Sequence, residues 1–280
     1  MSIESTRLRL DTVQALRGVA ATLVVIVHAV EIWREMTGAD LYPGPWDRGW
    51  AGVDLFFVIS GFIMVWICGN PNRPRRRPVR FLADRMTRIY PLWWLYCGVM
   101  AGYFLVSYGQ PSAPGSEMPG GAAAHFALSM ALWPTGQLPV LGVGWTLTFE
   151  LAFYAVFALM LLVRPKFWPP ILALWAAAIA LSWPEAATAA LPGSWLGVVL
   201  NPLSLQFILG ALAAWVLRAV SLPVAVGWVM LLAGSALFAG LLIFGGSVPD
   251  IGTHGVRALT FGSAGASIVA GLVTLERRGA

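Results

Sequence analysis

The chain has 280 residues, of which 58% are hydrophobic and only 11% charged, with a mean hydropathy of +0.74. Those values exclude an ordinary water-soluble domain and leave little chain for a separate soluble unit. The net charge of +5 and pI near 9.7 do not mark a nucleic-acid binder, because the basic residues fall in short loops between apolar stretches, where the positive-inside rule puts them.

A span needs about 20 mostly apolar residues, and eight candidates follow in chain order: 13–33, 50–69, 89–108, 143–163, 169–183, 195–217, 223–244 and 256–275. The predicted fold is therefore all-α, a single polytopic bundle of transmembrane helices over 1–280. The first run is followed by Glu31, Trp33, Arg34 and Glu35 rather than by a small-residue cleavage site, so it reads as a retained span. Arg7 and Arg9 precede span one, and Arg73, Arg75, Arg76, Arg77, Arg80, Arg85 and Arg88 follow span two. Arg164 and Lys166 follow span four, Arg218 span six, and Arg277 and Arg278 span eight. These loops alternate with loops poor in Lys and Arg, which places both termini in the cytoplasm. The apolar piece 122–133 is too short to cross and is predicted to be re-entrant or interfacial on the outer side. Asn201-Pro202 predicts a kink in span six, and the run of small residues from Gly262 to Ser267 predicts close helix approach. Cys68 and Cys97 show no metal-ligand or disulfide spacing and are assigned to packing; no metal site is predicted.

Ionisable side chains near mid-bilayer cost at least about 2.5 kcal/mol each, so those present are functional candidates that need partners. Span one carries Arg17 and His28, span two Asp54 and span four Glu150. Arg17 and His28 are eleven residues apart, which at about 100° per residue returns them to within roughly 20° of one helix face. Arg17 is expected about a turn inside the cytoplasmic boundary and His28 roughly 8 Å below the outer one, the two ends of one path. Glu150, about 10 Å into span four from the outside, is expected at the depth of His28 and able to pair with it. Thr146 and Tyr154, at i−4 and i+4 from Glu150, give that helix a polar stripe of the cavity-lining kind. Asp54 either joins this cluster or acts as an N-terminal charge on its own helix. His125 and His254 lie near predicted outer loops and carry no assignment.

A neutral imidazole oriented by a carboxylate can take a proton from a hydroxyl as it attacks a carbonyl, which makes His28 and Glu150 the candidate catalytic pair. No Ser or Cys sits in a nucleophile-elbow pattern, so direct transfer and a transient acyl-histidine both stay open. On the cytoplasmic side Arg85 and Arg88, at i and i+3, present two planar donor forks on one face. With Arg17 beside them they form a candidate phosphate clamp; the alternative is a topology determinant in contact with lipid headgroups.

Four segments in order carry a resemblance that covers nearly the whole chain: Leu16-Arg17-Gly18-Val19-Ala20 with His28, Gly52-Val53-Asp54-Leu55-Phe56-Phe57-Val58-Ile59-Ser60-Gly61-Phe62, Arg85-Met86-Thr87-Arg88-Ile89-Tyr90-Pro91, and Gly144-Trp145-Thr146-Leu147-Thr148-Phe149-Glu150 with Tyr154. The chain resembles the membrane-bound acyltransferase 3 family, which O-acetylates exopolysaccharides, O-antigens and related glycans. The resemblance implies that Arg17 and His28 match the family's essential Arg and His, that Arg85 and Arg88 match its Arg-x-x-Arg, and that acetyl-coenzyme A is the acyl donor. The Trp-Thr-Leu-Thr-Phe-Glu version is similar to the exopolysaccharide branch, implying a polysaccharide or its lipid-linked precursor as acceptor and the bacterial inner membrane as location. Family members continue through further spans beyond the equivalent of Ala280, so the chain reads as shortened at its C-terminus. The rival readings are a proton-coupled transporter, which predicts paired broken helices in two halves, and an inactive scaffold for glycan assembly.

Overall fold

A computed structural model describes residues 10–39, 48–70, 74–114, 118–186, 191–244 and 254–279. Arg7, Arg9 and Arg73 lie outside the described residues. No strand occurs among those described, and the chain is an all-α polytopic membrane protein. Its helices are α1 (Asp11–Thr37), α2 (Ala51–Cys68), α3 (Pro78–Tyr108), α4 (Gly121–Met130), α5 (Gly144–Met160), α6 (Trp168–Ala186), α7 (Trp195–Leu200), α8 (Ser204–Ala219), α9 (Val224–Phe244) and α10 (His254–Arg278). Six are long and apolar enough to cross a membrane: α1, α2, α3, α6 with the turn before it, α9 and α10. The other two predicted spans are shorter, 17 residues in α5 and 16 in α8.

The shortening has local causes. Span six is broken rather than kinked: Asn201 takes extended backbone (ψ 138°) and its Oδ1 accepts from the Leu203 N–H at 3.0 Å, ending α7 before α8 starts. Before α5, the predicted re-entrant piece is the ten-residue α4, about 15 Å long. Its last carbonyls are taken from mid-α3: Trp93 Nε1 donates to Ser129 at 3.0 Å, Trp94 Nε1 to Met130 at 3.1 Å and Tyr90 to Ala131 at 3.0 Å. The chain then turns back to Leu138, whose carbonyl accepts from His125 Nε2 at 2.8 Å, before descending into α5. Leu132, at φ 54°, makes that reversal. Because α4 and its return fill the part of this traverse that precedes α5, α5 starts halfway along α3, with Gly144 against the Trp93 ring.

Three of the described arginines gather on one face of the bundle and satisfy carbonyls that helix ends leave without partners. Arg75 donates to Leu161 and Val163 at the end of α5 (2.9 and 2.6 Å), Arg218 to Trp66 at the end of α2 (2.9 Å), and Arg277 to Leu217 at the end of α8. On the same face the Asp11 N–H and Thr12 hydroxyl donate to the Glu276 carboxylate, which ties the start of α1 to the end of α10.

The centre is built on α2 and α8. A Cβ on Gly61 would collide with the Phe207 carbonyl and one on Gly210 with that of Val58, so only glycine permits the approach. Phe207 stacks on Phe57 at 4.6 Å and on Phe153 at 4.3 Å between ring centroids. Such pairs add about 0.5–1.5 kcal/mol each beyond buried area. The small-residue run in α10 packs as predicted, Gly262 against Leu209 and Gln206, and Gly265 against Leu55 and Val58.

Candidate active site

Small residues decide where the bundle closes and where it stays open. Gly49 and Gly52 let α2 lie against α1, opposite Leu23 with Val27 and Ala20 with Val24 respectively. Gly144 lets α5 meet α3. Helix α1 otherwise packs on α10, and α3 on α4, while α1 and α3 scarcely touch. Between them α1, α2, α3 and α5 leave a cavity of about 800 Å³. It is bordered by Arg17, His28, Arg85, Arg88, Thr146, Glu150 and Tyr154, seven of the eight residues singled out from sequence. The sequence pattern thus brings them to one space, though not in the pairs predicted.

At the basic face Arg17 and Arg85 are half-buried and Arg88 is exposed. Arg17 lies within the electrostatic reach of Arg88, Arg85, Glu150 and Tyr154. The Arg85 guanidinium sits 5.4 Å from the Phe81 ring and 5.5 Å from the Tyr154 ring, and its Nε is buried with no hydrogen-bond partner. Glu150 supplies the counter-charge, and its Oε1 accepts from the Tyr154 hydroxyl and, at 3.4 Å, from Ser60 Oγ. Three guanidiniums around one carboxylate leave a net positive pocket suited to a phosphorylated ligand.

The opposite end holds His28, with its side chain 47% exposed. Its Nδ1 pairs with Glu31 Oε2 at 2.9 Å. The expected His28–Glu150 pair is therefore replaced by an i, i+3 pair on α1. The separation is one of depth. Gly52 faces Ala20–Val24 across the α1–α2 contact, and Ser60, which touches Glu150, lies eight residues further along α2. That is about 12 Å at 1.5 Å per residue, which puts Glu150 at the level of Arg17 and remote from His28. Thr146 is also at the cavity wall, with its hydroxyl donating to the Val143 carbonyl at 2.9 Å.

Asp54 does not border the cavity. It is fully buried (0% exposed) and accepts from Arg257 Nε at 3.0 and 3.1 Å, from Arg257 Nη2 at 2.9 Å, and from the Gln206 side chain. Arg257 itself does reach the cavity wall, with its guanidinium 3.7 Å from the centroid of the Trp50 ring. Sequence reading missed Glu31, Ser60 and Arg257. Glu31 was within reach of the i, i+3 rule; Arg257 stood at the edge of the last predicted span, and its pairing with Asp54, 203 residues away, had no local signal. No cluster of metal-ligating side chains occurs among the described residues.

Comparison with known proteins identifies the family. The family model described as an acyltransferase domain matches residues 10–279. The exopolysaccharide production protein ExoZ of Rhizobium meliloti is 35% identical over 82% of this chain and 68% of its own length. The acyltransferase MdmB of Streptomyces mycarofaciens is 29% identical over 75% of this chain and 58% of its own. The putative membrane-bound transacylase BcsY of Komagataeibacter xylinus is 29% identical over 55% of this chain and 37% of its own. The chain thus covers between 37% and 68% of the length of these relatives. No solved structure gives a significant match.

Proposed function

The chain belongs to this acyltransferase family, and from that premise we propose that it moves an acetyl group from cytosolic acetyl-coenzyme A to a hydroxyl of an extracytoplasmic glycan. The acceptor in this reading is an exopolysaccharide or its lipid-linked precursor. The protein sits in the bacterial inner membrane with the arginine-rich face and both termini cytoplasmic. One observation carries the reading: a single cavity joins Arg17, Arg85 and Arg88 at one end to the His28–Glu31 pair at the other.

The residues present suit such a donor. Arg17, Arg85 and Arg88 would hold its phosphates, and the partnerless Arg85 Nε is a donor awaiting an anion. From Arg17 to His28 the helix rises about 16 Å, a distance an extended pantetheine arm can cover, so a thioester held by its phosphates reaches His28. There His28 takes the proton from the acceptor hydroxyl, with Glu31 on its Nδ1 fixing the ring, and the hydroxyl oxygen bonds to the thioester carbonyl carbon. As the carbon–sulfur bond breaks, the imidazolium returns the proton to the leaving thiolate. Glu150, held by the Tyr154 and Ser60 hydroxyls, supplies a counter-charge among the arginines. Leu92 and Tyr96 border the cavity while being 59% and 58% exposed, which supports access for a lipid-linked acceptor from the bilayer between α1 and α3.

The test is acetyl-coenzyme A cleavage by purified protein in detergent, compared with His28→Ala and Arg88→Ala. Turnover cut to a small residual rate by His28→Ala, with coenzyme A binding weakened by Arg88→Ala, supports the reading. Donor binding without turnover in the unmodified protein favours the scaffold instead.

A further inference from the structure

We infer that Arg257 is a catalytic residue of this site: its free guanidinium nitrogen donates to the thioester carbonyl oxygen as that oxygen becomes an oxyanion, and Asp54 is the positioning residue that holds it there. The inference rests on the acyl-transfer reading and deepens it.

Attack on a thioester places a negative charge on the former carbonyl oxygen, and a general base does nothing for that charge. Donors fixed in advance are what lower the barrier. Of the cations that border the cavity among the described residues, Arg17, Arg85 and Arg88 stand at the basic face with Glu150 among them. Arg257 is on the other side of that level. Its guanidinium lies over Trp50, the residue after Gly49, and Gly49 abuts Leu23 and Val27 of α1. His28 follows Val27 directly, and a helical side chain leans toward the start of its own helix, here toward Arg257.

The side chain is fixed as an oxyanion donor must be. Nε and Nη2 are committed to Asp54 at 2.9 to 3.1 Å, and the flat face rests on Trp50. Nη1 makes no hydrogen bond among the described residues, and the side chain, 9% exposed, borders the cavity. Nη1 is thus the nitrogen left for a ligand. A buried ion pair is also a poor device for stability alone, because apolar residues of similar volume commonly do as well. An intramembrane Asp–Arg pair with one guanidinium nitrogen left over is accounted for by use of that nitrogen.

The experiment measures acetyl-coenzyme A cleavage by the purified protein with a neutral hexopyranoside acceptor, beside Arg257→Lys and the paired replacement Asp54→Leu/Arg257→Met. Lysine keeps a charge on Asp54 but offers the cavity no second fixed nitrogen; the paired replacement retains an apolar filling that is expected to fold. The expected result is a kcat lower by about 10²- to 10³-fold in both, with calorimetric affinity for coenzyme A within about threefold of the unmodified protein. Part of the loss is recovered with fluoroacetyl-coenzyme A, whose adduct is a less basic oxyanion. A kcat within about threefold of the unmodified protein in the paired replacement overturns the inference. So does an equal loss with the fluorinated donor, or loss of coenzyme A binding in both variants, either of which makes the pair a structural support. If the unmodified protein cleaves no thioester, the acyl-transfer reading itself fails and this inference with it, an outcome distinct from the others.

Discussion

Replacing Glu31 by Gln tests the His28 pairing directly. Glu31 Oε2 lies 2.9 Å from His28 Nδ1, with side chains 51% and 47% exposed. A hydrogen bond to a charged group contributes about 1.5–3 kcal/mol when sheltered, and half exposure brings this pair down to about 1 kcal/mol. At 1.36 kcal/mol per factor of ten, kcat falls about fivefold. Stability hardly changes, because an exposed pair adds less than about 1 kcal/mol to folding. The assay is release of coenzyme A thiol from acetyl-coenzyme A, with thermal unfolding in the same detergent as control. Glu31→Asp is expected to recover part of the loss. In a His28→Ala background Glu31→Gln is expected to have no further effect, since there is no ring left to orient. A kcat within twofold of the unmodified protein, or a full additional loss in the His28→Ala background, would refute the pairing as the source of orientation.

Three further outcomes follow from the same geometry. Glu150→Gln should change donor half-saturation more than the chemical step, because Glu150 sits among the arginines; initial rates at varied acetyl-coenzyme A read the difference. Arg85→Lys should weaken coenzyme A binding by about tenfold in titration calorimetry, through loss of the planar fork and its stacking on Tyr154. Gly210→Ala puts a methyl group into the Val58 carbonyl; overpacking of this kind costs about 1–3 kcal/mol, which a lowered unfolding temperature in detergent will show.

What local periodicity governs was legible. Arg17 and His28 face one cavity because eleven residues is close to three helical turns, and all eight apolar stretches correspond to helices, alone or in the case of 195–217 as a broken pair. Depth was not legible. Placing Glu150 beside His28 assumed that α5 starts at the membrane surface, whereas α4 and its return occupy the first part of that traverse and set the start of α5 at Trp93. The Asp54–Arg257 pair escaped for a different reason: it joins residues from the second and the last predicted spans, and only the tertiary packing of α10 on α2 brings them together.

That same pairing sets an order for biogenesis. Asp54 enters the bilayer with α2, and its counter-charge is synthesised 203 residues later, about 10–40 s at usual elongation rates. Through that interval α2 carries a carboxyl group that costs the membrane at least about 2.5 kcal/mol as a charge. Until α10 arrives that group lacks the guanidinium that holds it in the folded bundle. The first turn of α1 likewise waits for Glu276 to be tied down. Helices α1 and α2 therefore remain provisional until α10 is inserted, and a chain halted short of α10 keeps an intramembrane acid without its guanidinium partner.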